Sequence, residues 1–382
     1  MQLVLDALLE TATAETNLSD FGEENFREGF EVLVDAFNRE NNFHEAGAKA
    51  IRGGLLNSLT NRLKITAANA AHNVSNIEVP KPVFIIGYFR VGSTLLHQLL
   101  DRHPDLHGPK LWELYFPVSY PPGETEDAKL ADIAQGFADA YFERAPLMKS
   151  QHYLEKNHPD ECHRFFTNIG LSRIHLLRHR LPTYAAWLKE QDHTNAYRYH
   201  KHQIQHMLHR NGAKRPVLKC PTHFWNLSQL LSVYPDAKII MLHRHMPKVL
   251  ASTSNLCRTL RESFSHDVEG TRIGAEWQED YRLGMDRMLK WREGNEDKIF
   301  DLRYKDLIKD PKSTFFEICE FIEAERNERL GDTIDSWMAD NRQHKFGKKP
   351  YSLNEFGLSS GEINEKFSDY HERFNVPAEE QA

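Results

Sequence analysis

The sequence carries few of the usual markers of location or cofactor class. No run approaches the ~20 apolar residues that a membrane helix needs. The opening "MQLVLDALLETATAET" has acidic residues early and no basic segment followed by a long apolar one, so no secretory signal is expected. Four cysteines, Cys162, Cys220, Cys257 and Cys319, stand far apart and form no C-x-x-C pair, which predicts reduced thiols and a cytoplasmic setting. Positive charge is also short. The formal net charge of −7 argues against bulk attraction to nucleic acid or an anionic membrane, so any anion site must be a local concentration of cations. There are no internal repeats and no low-complexity segments.

What is present is an ordinary globular balance, 40% hydrophobic and 27% charged over 382 residues, enough for one large or two ordinary domains. Residues 1–78 read as a helical cap: "FREGFEVLVDAF" puts Phe26, Phe30, Leu33 and Phe37 on one face. From Pro82 short apolar runs alternate with helical patterns. "VFIIGY", "PVLK", "AKIIMLHR" and "KIFDLRY" are expected strands, each followed by a helix. This predicts an α/β fold over 79–382, a P-loop-like parallel sheet flanked by helices. Residues 105–215 are a mostly helical insertion rich in Tyr, His and Arg, suited to building a substrate pocket. Near the end, "SSGEINEKFSDYHERF" reads as one more helix.

The segment "GYFRVGST" joins the first strand to the first helix after it. Gly87 and Gly92 have the spacing of a nucleotide phosphate loop, G-x-x-x-x-G-K-[ST], with Thr94 in the final hydroxyl position. Glycine lets the backbone turn tightly and aim several N–H groups at an anion, and the following helix adds its positive end. The loop lysine is missing, because Ser93 stands in its place. Arg90, inside the turn, supplies a cation able to fork two donors onto phosphate or sulfate oxygens. No acidic strand end offers itself for Mg²⁺.

"PVFIIGYFRVGSTLLHQLLDRHPDLHGPKLWEL" resembles the 5′-phosphosulfate-binding segment of sulfotransferases, written G-x-P-R-S-G-T-T-x-L in a large bacterial-type branch. Tyr88-Phe89 replaces x-Pro, Val91 replaces Ser and Ser93 replaces the first Thr, while Arg90 and Thr94 remain. "AKIIMLHRHMPKVLASTSNL" resembles the 3′-phosphate segment of the same family, with Arg244 at a strand end and Ser252 about two turns into the next helix. "FDLRYKDLIKDP" resembles the family's Y-E-D-L segment, which carries over Tyr304 beside an adenine. The C-terminal "HKFGKKPYSLNEFGL" also resembles the ending of that branch.

The resemblance implies 3′-phosphoadenosine 5′-phosphosulfate (PAPS) as donor and 3′-phosphoadenosine 5′-phosphate (PAP) as product. Two separated anionic ends then require two cationic sites. The cofactor-binding set is Arg90, Val91, Gly92, Ser93, Thr94, Leu95, Arg244, Ser252 and Tyr304, with Lys345 and Lys348 as part of a basic lid that includes His344 and Lys349. Transfer needs a base at the acceptor, a cation on the leaving phosphate and donors to the sulfuryl oxygens.

Glu113 of "KLWEL" is the first candidate base. It stands at the distance used by glutamate-dependent branches, and Leu111 and Trp112 would raise its pKa by keeping it dry. Lys219 and His223 of "VLKCPTH" are further candidates, Lys219 matching a lysine that assists the leaving group. Asp160, Glu161 and His163 of "NHPDECHRF" either line the acceptor pocket or cap a helix.

Among 21 histidines, His175/His179 and His202/His206 have i, i+4 spacing, but neither has the H-E-x-x-H acid, and no metal is expected. The expected acceptor is a hydroxyl or amine of a small or lipid-like molecule. Its pocket would draw on the aromatics Tyr115, Phe116, Tyr141, Tyr153, Phe165, Trp187 and Tyr199. Oligomeric state is not legible. The competing readings are a nucleotide-dependent kinase, which needs the absent lysine and metal site, and a non-catalytic nucleotide-binding protein on the same fold.

Overall fold

Five parallel strands carry the molecule, described by a computed structural model over residues 2–119, 124–212, 214–341 and 352–379. They are β1 Val83–Gly87, β2 Leu106–His107, β3 Arg215–Lys219, β4 Lys238–His243 and β5 Ile299–Arg303, in spatial order β2-β3-β1-β4-β5. The four expected strands are all present. β2, two residues long, is too short to leave a pattern; it pairs with β3 through Leu106↔Arg215 and His107↔Pro216.

Central β1 is buried along its whole length, as a strand covered on both faces must be. Its registers, Ile85↔Lys219 with β3 and Gly87↔Leu242 with β4, bring the carboxyl ends of three strands level. His243↔Arg303 adds the end of β5. Chain leaving β1 therefore meets chain leaving β3 on one side and β4 on the other, the switch point where open α/β sheets bind ligands.

Each strand is followed by helix, as expected: α4 Ser93–Leu100 after β1, α12 Leu227–Val233 after β3, α13 Met246–Glu262 after β4, and α15 Tyr304–Lys309 with α16 Pro311–Phe321 after β5. The N-terminal helices are α1 Leu5–Thr16, α2 Arg27–Glu40 and α3 Glu45–Ala71. The 105–215 region holds α5 Leu111–Tyr115, α6 Glu124–Arg144, α7 Met148–Gln151, α8 His163–Thr167, α9 Ile174–Arg178, α10 Pro182–Glu190 and α11 Thr194–Asn211. The chain then closes with α14 Gly270–Arg292, α17 Glu328–Asp340, α18 Ser360–Lys366 and α19 Ser368–Arg373. α18 and α19 replace the single helix expected there. They meet at buried Phe367, because Ser368 and Asp369 are helix-starting residues.

The core runs without a break from the N-terminal helices into the sheet, with Phe30, Leu33 and Phe37 buried as their spacing requires. Arg62 of α3 is buried at the junction with the inserted helices. It donates to the carbonyls of Phe21, Glu23 and Asn168 and lies between the rings of Phe26 and Tyr199. Held by three carbonyls and two ring faces, this buried guanidinium ties the N-terminal helices to the inserted ones.

Candidate active site

The loop after β1 turns through three left-handed residues: Gly87 (φ 136°), Arg90 (φ 70°) and Gly92 (φ 94°). Glycine is needed at 92 twice over. Besides its φ, a Cβ there would stand 2.6 Å from the Tyr304 ring. Ser93, buried, opens α4, followed by Thr94 and half-buried Leu95. Val91 is fully buried, so the position where the family pattern has a serine faces the core and supplies packing instead of a donor.

Sequence-distant residues converge on this loop. Arg90 donates from Nε to Ser252 Oγ at 3.1 Å and from Nη1 to the Gln151 carbonyl. Arg244, just past β4, donates from Nη1 to the Arg90 carbonyl at 2.9 Å, and its guanidinium lies 4.0 Å from the centre of the Tyr304 ring. Arg90, Gly92, Arg244, Ser252 and Tyr304 therefore form one connected group. Gln151 and Glu379, which clasp Arg90 and Arg244, carry no sequence signal. Lys345 and Lys348 lie outside the described residues.

A second cluster stands at the end of β3. Lys219, 1% exposed, places Nζ 2.8 Å from Glu161 Oε1 and 3.5 Å from Thr94 Oγ1. A donation from the Cys162 amide to the Lys219 carbonyl, at 3.0 Å, docks the Glu161 segment along the strand end. Burial alone would raise the Glu161 carboxyl, but Lys219 and then His163, 3.2 Å from Oε2, hold it well below the usual range. Asp160 is likewise ionised, paired with His152 at 2.8 Å and Arg164 at 3.5 Å. Neither carboxylate caps α8.

Two expectations are corrected here. Glu113 is not a dry carboxylic acid poised for proton transfer. Burial pushes it up, yet His107, Arg210 and the Lys110 amide bring it down to about 2. It is the N3 residue of α5, accepting from the Lys110 amide at 2.7 Å and His107 at 2.8 Å, with Asn211 on its other oxygen. His107 lies beside Pro216, at the start of β3, whereas Lys219 ends that strand, about 10 Å further along. Glu113 is fixed as the brace that joins the start of α5 to His107 and Asn211.

His223 is no base either. Burial lowers it to about 3, and its ring nitrogens are taken by Tyr197 Oη at 2.9 Å and Cys162 Sγ at 3.2 Å.

The aromatics expected to line an acceptor pocket divide. Phe165 is buried in the core and Tyr199 packs on Arg62, whereas the Tyr115 ring lies 4.1 Å below the Arg164 guanidinium beside Asp160. His175 and His179 pack edge-on against Phe37, and the four cysteines are buried free thiols.

A parallel sheet flanked by helices, with a glycine-turned loop, two arginines and a lysine–carboxylate pair gathered at its switch point, is of the P-loop-like α/β class. The chain belongs to the sulfotransferase family: that family's model matches residues 82–328, and the protein is a transferase. Among curated relatives, the ω-hydroxy-β-dihydromenaquinone-9 sulfotransferase Stf3 of Mycobacterium bovis and that of Mycobacterium tuberculosis are each 26% identical over 292 residues, covering 73% of this chain and 70% of theirs. Among solved structures, sulfotransferase STF1 from M. tuberculosis superposes with a TM-score of 0.84 at 27% identity, covering 96% of this chain and 99% of its own. Sulfotransferase STF9 from Mycobacterium avium gives 0.88 at 25% identity, covering 100% and 99%.

Proposed function

We propose that this sulfotransferase moves the sulfuryl group of PAPS onto a hydroxyl, or an amine, of a small or lipid-like acceptor by in-line displacement, releasing PAP. The observation that carries the reading is the convergence of Arg90, Ser252, Arg244 and Tyr304 around Gly92, with Lys219 and Thr94 alongside. The residues fit such a donor. The cradle at Gly92 is closed to any Cβ, Arg90 and the loop amides suit a phosphosulfate, and Arg244 with Ser252 suits a second phosphate.

In this reading Lys219 faces the leaving phosphate oxygen, and the loop amides and Thr94 face the sulfuryl oxygens. Glu161 is the base and takes the acceptor's proton. It rests as an ion pair with Lys219, which keeps it deprotonated; as negative charge builds on the leaving group, Lys219 turns to it and Glu161 becomes more basic. No step here calls on a metal. The name of the curated relatives, which carries a hydroxylated menaquinone, supports a lipid-like alcohol as acceptor. The four buried free thiols support a cytoplasmic setting. No helix among the described residues is long and apolar enough to cross a membrane.

Thermal shift tests the donor assignment: PAP should raise the melting temperature more than ATP with Mg²⁺, and the reverse ranking would overturn it. Glu161→Gln should bind PAP normally while losing turnover; full activity in that variant removes Glu161 as base.

A further inference from the structure

Behind the Lys219–Glu161 pair lies a cluster of side chains that the transfer reaction does not use. Cys162, His200 and His223 are fully or almost fully buried, and one ligand atom from each lies within 4.8 Å of the others. Cys162 precedes α8, His200 lies on α11 and His223 follows β3, so three separate elements converge on the point.

The orientation of the two imidazoles is the informative feature. His223 Nδ1 is bonded to the Tyr197 hydroxyl at 2.9 Å and His200 Nδ1 to the Tyr234 hydroxyl at 2.8 Å. With both Nδ1 atoms held in the same way, Nε2 is the ring nitrogen each imidazole has left to offer a ligand, and that of His223 stands 3.2 Å from Cys162 Sγ. His200 Nε2 is buried and has no hydrogen-bond partner. A buried polar atom left without a partner is unfavourable, so the site gains by acquiring one. A second group holding the distal ring nitrogen is also the usual way a metal-binding histidine is oriented. The walls are aromatic: Phe166 stacks on His200 with ring centres 4.9 Å apart, and Phe84 meets His223 edge-on at 5.1 Å.

We propose that Cys162, His200 and His223 form a binding site for a thiophilic d¹⁰ metal cation, copper(I) or zinc(II). Binding releases the Cys162 thiol proton, so that Sγ and two neutral Nε2 lone pairs are the ligands. Ligand atoms about 2.0–2.3 Å from one ion stand roughly 3.5 Å apart, so the cluster closes with side-chain movements of about 1 Å. Three ligands and an apolar wall favour copper(I), because one thiolate then leaves the buried complex neutral, whereas zinc(II) leaves a net positive charge. A bound ion would tie the segment carrying Glu161 to the helical turn after Lys219.

The test uses the full chain, reduced and stripped of metal. It is incubated anaerobically with Cu(I), Zn(II) or Co(II), then desalted and assayed for metal content, melting temperature and, with Co(II), thiolate-to-metal absorption in the near ultraviolet. We expect one ion retained per chain, a raised melting temperature and an absorption band that is lost in Cys162→Ser and weakened in His200→Gln. Cys257→Ser and Cys319→Ser should behave as wild type. If folded wild-type protein retains none of the three ions, or if Cys162→Ser retains them as well as wild type does, the proposal fails. Should Cys162→Ser not fold, the wild-type metal content and the His200→Gln comparison decide.

Discussion

Glu379 lies along the edge of the Arg244 guanidinium, its two carboxylate oxygens 3.0 Å from Nε and 2.9 Å from Nη2. This is the bidentate geometry with which arginine grips a phosphate. The same tail closes on the start of α13 through His371 Nε2, 3.1 Å from the Met246 amide. In our reading of Arg244, a carboxylate of the chain itself holds the place of the donor's second phosphate.

Glu379→Gln should therefore strengthen PAP binding. Removing a competing, partly exposed ion pair is worth about 1 kcal/mol, or roughly fivefold in affinity. Calorimetric titration of wild type and variant at equal ionic strength decides it. Unchanged or weaker binding would show that Glu379 does not compete at Arg244.

Gly92→Ala should abolish donor binding while leaving most of the fold intact. The added methyl meets the Tyr304 ring at 2.6 Å, and the residue has a positive φ. Both the loop and the ring must shift. The expected result is a loss of the PAP-induced melting shift together with a helical circular dichroism spectrum like that of wild type; a retained shift would mean the cradle can relax.

Glu113→Gln should act on stability rather than on chemistry. A carboxyl held at about 2 instead of its ordinary 4.5 contributes roughly 3 kcal/mol at neutral pH. Because the folded pKa is the lower one, that contribution is present above about pH 5 and is lost as pH falls toward 2. Urea unfolding should show a gap between wild type and variant at pH 7 that narrows by pH 3. PAP binding at pH 7 should be unaffected.

Acid sensitivity should begin higher than carboxylates alone would set it. Burial lowers His97, His163 and His193 to about 4 and His175, His206 and His223 to about 3. Unfolding restores them to about 6.5, so the unfolded chain binds more protons between pH 6.5 and 3. The stability these neutral imidazoles permit is whole above about 6.5 and lost below it. Unfolding free energies measured from pH 7.5 to 4.5 should fall steeply; a flat profile would show that these rings are hydrated.

Much of this was legible in the sequence because it rests on local pattern. Short apolar runs between helical stretches gave four of the five strands, and glycine spacing with Arg90 gave the loop. Arg244 and Tyr304 came from the family resemblance of their segments, and both stand just past strand ends in the fold. What was not legible depends on pairings between distant segments. Lys219 and Glu161 meet only because a loop from the inserted helices docks on β3. Glu113 sits in an apolar-looking stretch, and its low pKa comes from His107, Arg210 and Asn211, which no motif connects to it. The fate of Val91 was open for the same reason: whether a loop side chain faces ligand or core is settled by the sheet beneath it.

Arg90 adopts a backbone conformation that glycine would hold without strain, at a penalty for an arginine of roughly 1–2 kcal/mol. The residue best suited to the turn and the residue suited to an anion are therefore different. Selection for stability alone would drift toward glycine at this position and stop at the loss of charge. In our reading of Arg90, the chain gives up stability at a single φ angle to hold a cation in the turn.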